Sequence, residues 1–492
     1  NADEIARWLQ AVRGRECRVV KETRRPVPLF PLFLHPSGKL YPLVTPSQNG
    51  KSRLHKKIRS FLNMPRAPRL SAPGKLPPFG DIIRVLRKYN LLPAVFFLKS
   101  RADCDAALNL CETNFFPDAD RRLDLSLRMG ELAEQSDHVA RHRQRWQVEN
   151  LAVGAHHSGQ LPAWKIVIET LMTEGLLDAV FATSTVAAGV NFPARTIVFL
   201  NSDRFNGKEF MPLSPTEFHQ MTGRAGRRGM DRIGFALAVP GKFLDAPYVA
   251  RLFDMPPSDV DSRIQINFSM VLNLLLSHTP DQVEDLLKLS FARFQEKAAG
   301  SHALTESREN DRLWDEFLHH LSFLKKLGYV TRDGALTETG EWAAMLRVDQ
   351  PILIAEGFRR GLFPQSDPAL LAAAIAMFVF DRETGEDADR RLVPEALLDT
   401  LVRVGEGLHP LAKEMKQEKF PVRPLLIKPA AIVPAWGAGR PWETAAARGG
   451  VEVGDFSMLV LRTADNLRHV RALKKVFPDA AAAAAAAIEL IM

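Results

Sequence analysis

The densest chemistry in the chain lies in "FHQMTGRAGRRGMD", residues 218–231, where arginines and glycines crowd a short stretch that ends on an acid. Arginine stays charged and forks onto phosphate oxygens. Arg224 and Arg227 are three apart, a spacing that predicts one face of a helix and reach to a common polyphosphate. Gly223 and Gly226 leave room beside them. A second stretch, "TSTVAAGVNFP" (183–193), is small and hydroxylated, which lets a phosphate approach the backbone closely. Both are read as loops at the carboxyl ends of strands, where open α/β sheets gather ligands. A basic loop of the disordered RNA-binding kind is the other reading of "GRAGRRG". It fits poorly, because the segment sits between apolar strands.

The elements that must position these loops read as α/β. Helical patterns at 81–89 and 163–174 and apolar runs at 93–98, 151–155, 179–183, 196–200 and 235–239 imply a parallel sheet covered on both faces. Gly175 stands where a helix C-terminus favours positive φ. Residues 112–150 read as a charged, mostly helical insertion. Prolines at 26, 28, 31, 36, 42 and 46 argue against a long central strand near the start. Beyond residue 260 the strand signal nearly vanishes. The exception is Asp333-Gly334 between two short apolar runs, a hairpin signal flanked by helices. Eight alanines, 480–487, favour helix. The uncharged run 369–380 is too short to span a bilayer and reads as a buried helix.

Composition sets outer bounds. The chain has 492 residues, enough for two to four domains, with 46% hydrophobic and 25% charged residues, as packed proteins have. Cys17, Cys104 and Cys111 form no CxxC pair, which fits a reducing cytoplasm. The formal charge of +8 suits an anionic partner. Residues 51–70 carry Lys51, Arg53, Lys56, Lys57, Arg59, Arg66 and Arg69 without an acid, as either a solvated linker or a phosphate-contacting arm. The first residue is Asn1, and the chain reads as a piece of a longer protein.

Four segments in order resemble the second RecA-like domain of superfamily 2 helicases, nearest to the superkiller-type, exosome-associated DExH-box RNA helicases. "AVFFLKSRADC" (94–104) resembles motif IV, and "GAHHSGQLP" (154–162) the two-histidine segment. "FATSTVAAGVNFPARTIVF" (181–199) resembles motif V, and "QMTGRAGRRG" (220–229) motif VI. "NADEIARWL" (1–9) is similar to the residues after motif III. "NFSMVLNLLL" (267–276) and "LLKLSFARFQ" (286–295) are similar to the segment after motif VI. "LGYVTRDGALTETGEWA" (327–343) is similar to the winged helix, and "GDFSMLVLRTADNLRHV" (454–470) to the ratchet helix.

The resemblance implies an α/β RecA-like domain followed by winged-helix and all-α helical-bundle domains. Its implied boundaries are a linker and β-hairpin region at 1–74, the second RecA-like domain at 75–250, the winged helix at 251–345 and the helical bundle at 346–492. It implies an ATP-dependent helicase. Arg224 and Arg227 would meet the γ-phosphate, with Arg227 as the finger, and Gln220 would couple ATP to RNA. Gly223, Gly189 and Asn191 would border the nucleotide. Ser100, Arg101, Thr183 and Ser184 would touch the nucleic-acid backbone, and Arg462 and Arg468 the exiting strand. ATP and Mg2+ are the implied cofactors. Single-stranded or partly duplex RNA is the implied partner, with no membrane. Adjacent histidines point different ways on a strand, so His156 and His157 read as structural or RNA-proximal rather than as a metal pair.

The chain also departs from the family. It contains no GxxxxGK[ST] loop, hence no phosphate cradle or magnesium-binding hydroxyl. "DEFLH" (315–319) only imitates a DExH box. The first RecA-like domain is missing, so this chain alone is expected to be inactive, and a non-catalytic nucleic-acid-binding scaffold is the reading of another class. Only 296–312 fills the place of the arch, which argues against arch-docking partners. Related DNA-repair helicases put proline where Arg228 stands, which favours RNA and leaves DNA as the alternative.

Overall fold

The computed structural model describes residues 1–22, 24–45, 53–72, 75–111, 119–187, 192–205, 209–300, 312–379, 393, 395–437, 439 and 442–492. They form two compact units, Lys21–Asp259 and Asn1–Val20 with Val260–Met492.

The first unit is built on a seven-stranded sheet. Its strands are β1 (Leu29–Leu34), β2 (Leu40–Pro42), β3 (Ala94–Leu98), β4 (Val153–His156), β5 (Ala179–Thr183), β6 (Thr196–Phe199) and β7 (Gly234–Ala238). The order is β2-β1-β7-β6-β3-β5-β4, parallel except for the antiparallel edge strand β2. Alternate residues of β3 feed opposite cores. Val95 and Phe97 pack with Trp164 and Ile168 of the helix Pro162–Thr173. Phe96 and Leu98 pack with Phe79 and Ile83 of the helix Phe79–Lys88 and with Cys104. Burial on both faces explains the unbroken apolar runs.

The start of the sheet departs from expectation. Residues 29–42 supply two of its strands, although the sequence reading begins the α/β domain at 75. Pro31 lies inside β1, opposite Ala236 of β7. It is tolerated because, on the β2 side, the Pro31 carbonyl accepts from Leu43 N at 2.9 Å while the Leu43 carbonyl accepts from His55 N at 3.0 Å, so no acceptor there needs the missing N–H.

The second unit is helical and holds one hydrophobic core from Ile266 to Ile491. The helix Arg312–Leu327 leads into a Thr331–Ala335 turn, where Gly334 takes φ +98° and Thr331 N donates to Ala335 O at 2.8 Å. One antiparallel bridge, Val330 to Leu336, is all the pairing that the expected hairpin makes, and the helix Glu338–Ala344 follows. The uncharged run becomes the helix Pro368–Ala376, capped by Asp367 and buried from Leu371 to Ala376. The alanine run lies in the helix Pro478–Ile491, with Ala480, Ala484 and Ala487 fully buried against the helices Val453–Ala472 and Pro368–Ala376. Among the described residues no helix is long and apolar enough to cross a membrane.

Candidate functional site

The motif VI helix, Pro215–Thr222, starts on a capping box. Ser214 Oγ accepts from Glu217 N at 3.2 Å, and the Glu217 carboxylate accepts from Ser214 N at 2.9 Å. Phe218 and Met221 are buried, which leaves Gln220 on the exposed face. The helix stops at Thr222, with Gly223 exposed as its C-cap. Arg25 holds this end: its Nη2 donates to the Thr222 carbonyl at 2.8 Å and also to Ala225 O. Ala225 then bridges Ala194, and Gly226 N donates to Ala194 O at 2.8 Å. Gly226 sits at φ +82°, where a Cβ would come within 2.5 Å of Val27 Cγ1. Only glycine fits there.

Two expectations are corrected by this geometry. Arg224 and Arg227 do not share a helix face; both lie in the turn that follows the helix. That turn also sits at the amino ends of β6 and β7, whereas Thr183 closes β5 at its carboxyl end. The two phosphate-type segments therefore begin at opposite ends of the sheet.

Arg227 is gripped by Asp231. Its Nε and Nη2 donate to the two carboxylate oxygens at 2.8 and 3.0 Å, and its backbone N donates at 2.9 Å. Arg195, which leads into β6, adds Nη2 at 2.7 Å from the same carboxylate. The Asp231 side chain is 0% exposed, Arg227 15% and Arg195 20%. Burial alone would raise the Asp231 pKa, but the bonds from Arg227 and Arg195 win and hold it at about 2. Sequence reasoning left this acid without a role, and it missed Arg195 and Arg25 entirely. The bidentate pair at i, i+4 was the available signal. The Arg195 contact spans 36 residues and is tertiary.

The other end of the sheet carries the motif IV and V residues. Leu98 and Thr183 are register partners on β3 and β5, so Ser100, Arg101, Thr183 and Ser184 follow neighbouring strand ends. Ser100 Oγ accepts from Asp103 N at 3.0 Å and caps the helix Arg101–Asn109. Motif V connects the two ends: it starts at Thr183 and Ser184 and arrives at Ala194 and Arg195 against motif VI. Gly189 and Asn191 lie outside the described residues.

His156 and His157 are both buried and diverge. His156 Nε2 meets Glu169 at 2.8 Å, and His157 Nε2 meets Asp105 at 3.2 Å. The fold thus supplies one acid to each ring, although no acid stands at ligand spacing in sequence. Asp105 also accepts from Gln144 and Arg143. Among the described residues no group of three His, Cys, Asp or Glu could hold a metal. Nearby, His142 stacks on Trp164 at 3.7 Å, and burial pushes its pKa down to about 3. Burial lowers His156 as well.

A pH dependence follows. Below about pH 6.5 the unfolded chain binds protons at these histidines more readily than the folded one, so unfolding takes up protons. Stability should fall as pH drops from about 6.5 toward 3, by about 1.4 kcal/mol per pH unit for His142, and His156 contributes in the same direction. Urea unfolding at several pH values reads this slope. His142→Phe should reduce it by one such contribution, and an unchanged slope would show that His142 titrates normally.

In the helical unit, Arg462 Nη2 is paired with Asp349 at 2.7 Å, and Asn466 Oδ1 accepts from Asp349 N at 3.1 Å. Arg468 is paired with Asp465 and is about half exposed. The structure thus puts Gln220 on the last turn of the motif VI helix with Gly223, Arg224 and Arg227 directly after it, and Ser100, Arg101, Thr183 and Ser184 at neighbouring strand ends. Arg462 and Arg468 belong to the other unit.

Residues 333–492 match the family described as the DSHCT (NUC185) domain. The chain is 36% identical over 320 residues to the probable helicase HelY of Mycobacterium tuberculosis, covering 60% of this chain and 35% of that protein. It is 29% identical over 342 residues to the ATP-dependent RNA helicase mtr4 of Schizosaccharomyces pombe, covering 64% and 30%. It is 30% identical over 308 residues to the exosome RNA helicase MTR4 of Homo sapiens, covering 60% and 29%. The chain spans about a third of the length of these relatives. With the motif order of the sheet unit and the DSHCT match of the helical unit, the chain is similar to the C-terminal region of the superkiller-type superfamily 2 helicases.

Proposed function

We propose that this chain is the second motor domain and the strand-handling part of an ATP-dependent RNA helicase. One observation carries the reading: motif V leaves the strand ends beside motif IV and arrives stitched to the motif VI turn. A nucleic-acid contact at Thr183 and Ser184 is thereby linked through one segment to Arg224 and Arg227. ATP with Mg2+ binds in a cleft shared with a first RecA-like domain that supplies the phosphate cradle. Arg224 and Arg227 stabilise the γ-phosphate as charge rearranges. Gly189, Asn191 and Gly223 border the nucleotide, and Gln220 relays between the two ligands.

Ser100, Arg101, Thr183 and Ser184 hold the RNA backbone. The segment Arg312–Ala344 is the winged helix, and Val453–Ala472 is the ratchet helix. Arg468 meets the exiting strand there, while Arg462 must first leave Asp349. The RecA-like domain of 75–250 takes its first strands from 29–42. Three free cysteines, two of them buried, fit work in the reducing cytoplasm.

The chain should bind single-stranded RNA weakly and with a negative slope of log K against log salt, because phosphate contacts release counterions. Fluorescence anisotropy with a labelled oligonucleotide measures it. An affinity unchanged between low and high salt would sink the reading.

A further inference from the structure

A cavity of about 960 Å3 opens over the carboxyl ends of β1, β7, β6 and β3. Residues 62, 64–72 and 75–77 form part of its wall. Its floor is apolar: Phe33, Phe61, Leu98 and Val239 line it and are buried. Its rim is cationic. Arg66, Arg69, Lys75, Lys99 and Lys242 line it, against the one lining acid Asp103. All but Lys99 of these cations are exposed. Lys99 Nζ pairs with Asp203 at 2.7 Å and lies 3.8 Å from the centre of the Phe243 ring, which is itself about half exposed.

A loop that merely covers a sheet has no need of five cations around a void, since like charges held together repel. The combination of a flat apolar floor, an exposed aromatic ring and a cationic rim suits a ligand that is itself flat, apolar and anionic by turns. A nucleic-acid strand has that chemistry, with bases for the floor and ring and phosphates for the rim. The position agrees. Thr183 ends β5 and Ser100 follows the adjacent strand β3, and the cavity continues the same row over β3, β6, β7 and β1. At about 4.8 Å per strand, that row runs on for roughly 15 Å.

Resting on the RNA reading above, we infer that this cavity is a further nucleic-acid site, which takes the strand beyond the motif IV and V contacts. The lysine next to Ser100, Lys99, joins the two. The segment around 51–70 is in this respect a phosphate-contacting arm through Arg66 and Arg69.

The test uses the chain itself and a labelled oligouridylate. Combining Arg66→Gln, Arg69→Gln and Lys242→Gln changes only exposed side chains. It should weaken binding by roughly 10- to 100-fold at 0.1 M salt and shrink the salt slope by about 2, three contacts at about 0.7 each. Phe243→Ala, which alters no charge, should weaken RNA by roughly 5- to 100-fold and leave binding of heparin, a polyanion without bases, unchanged. Circular dichroism confirms that the variants are folded. If the triple variant binds RNA with unchanged affinity and slope, the cavity is no site, while the RNA reading stands on the parent chain. If Phe243→Ala binds RNA like the parent, the rim is only a surface charge and the inference fails. If the parent chain binds no RNA at any salt, both readings fall together.

Discussion

Arg227→Ala, in an enzyme that joins this chain to a first RecA-like domain, should lower ATP turnover by roughly 10³–10⁵-fold, as loss of a transition-state arginine does. RNA affinity without nucleotide should stay near that of the parent, because the motif IV and V residues lie at the other end of the sheet. Arg228 is the control. It lies exposed in the turn, past Gly226, so Arg228→Ala should be mild. The geometry adds a requirement. Arg227 is held on Asp231 by two side-chain bonds, so reaching a phosphate means sharing or leaving that carboxylate. Steady-state ATPase of both variants at saturating RNA decides the matter. Equal loss in the two would show that the arginine roles are misassigned.

Asp231→Ala should cost about 3–5 kcal/mol of stability, the usual result of removing one partner from a buried ion pair. Two guanidinium groups, of Arg227 and Arg195, would lose their shared counter-ion in a place that is four-fifths or more buried. Asp231→Asn keeps the shape and one acceptor, yet should recover only part of the loss, because the attraction to both arginines depends on the charge. Denaturant unfolding of the three proteins measures the difference. A loss below about 1 kcal/mol for Asp231→Ala would mean that the turn does not depend on this carboxylate.

What was legible in the sequence was mostly local. Apolar runs gave β3, β5, β6 and β7, because strands buried on both faces cannot hide polar residues. Gly175 marked its helix end and takes φ +76° as expected. The β-hairpin expected before residue 75 is present as β1 and β2, but its place in the sheet was not legible, since β1 pairs with β7 about 200 residues away. The motif VI arginines were found by type, but their placement on a helix face was wrong. Spacing of three suggests a helix, and the helix instead ends at Gly223, with Arg25 capping it from about 200 residues away. The partners of the site residues were the least legible. Asp231 with Arg195, His157 with Asp105, and Arg462 with Asp349 are pairs that only the fold brings together.

The central claim is that this chain supplies the arginines of a motor and not its phosphate cradle. Steady-state ATP turnover of the purified chain, with saturating RNA and Mg2+, tests it most directly. The account predicts turnover at background, because phosphoryl transfer needs a cradle and a metal-binding hydroxyl that no GxxxxGK[ST] segment provides here. Measurable turnover that Arg227→Ala abolishes would contradict it.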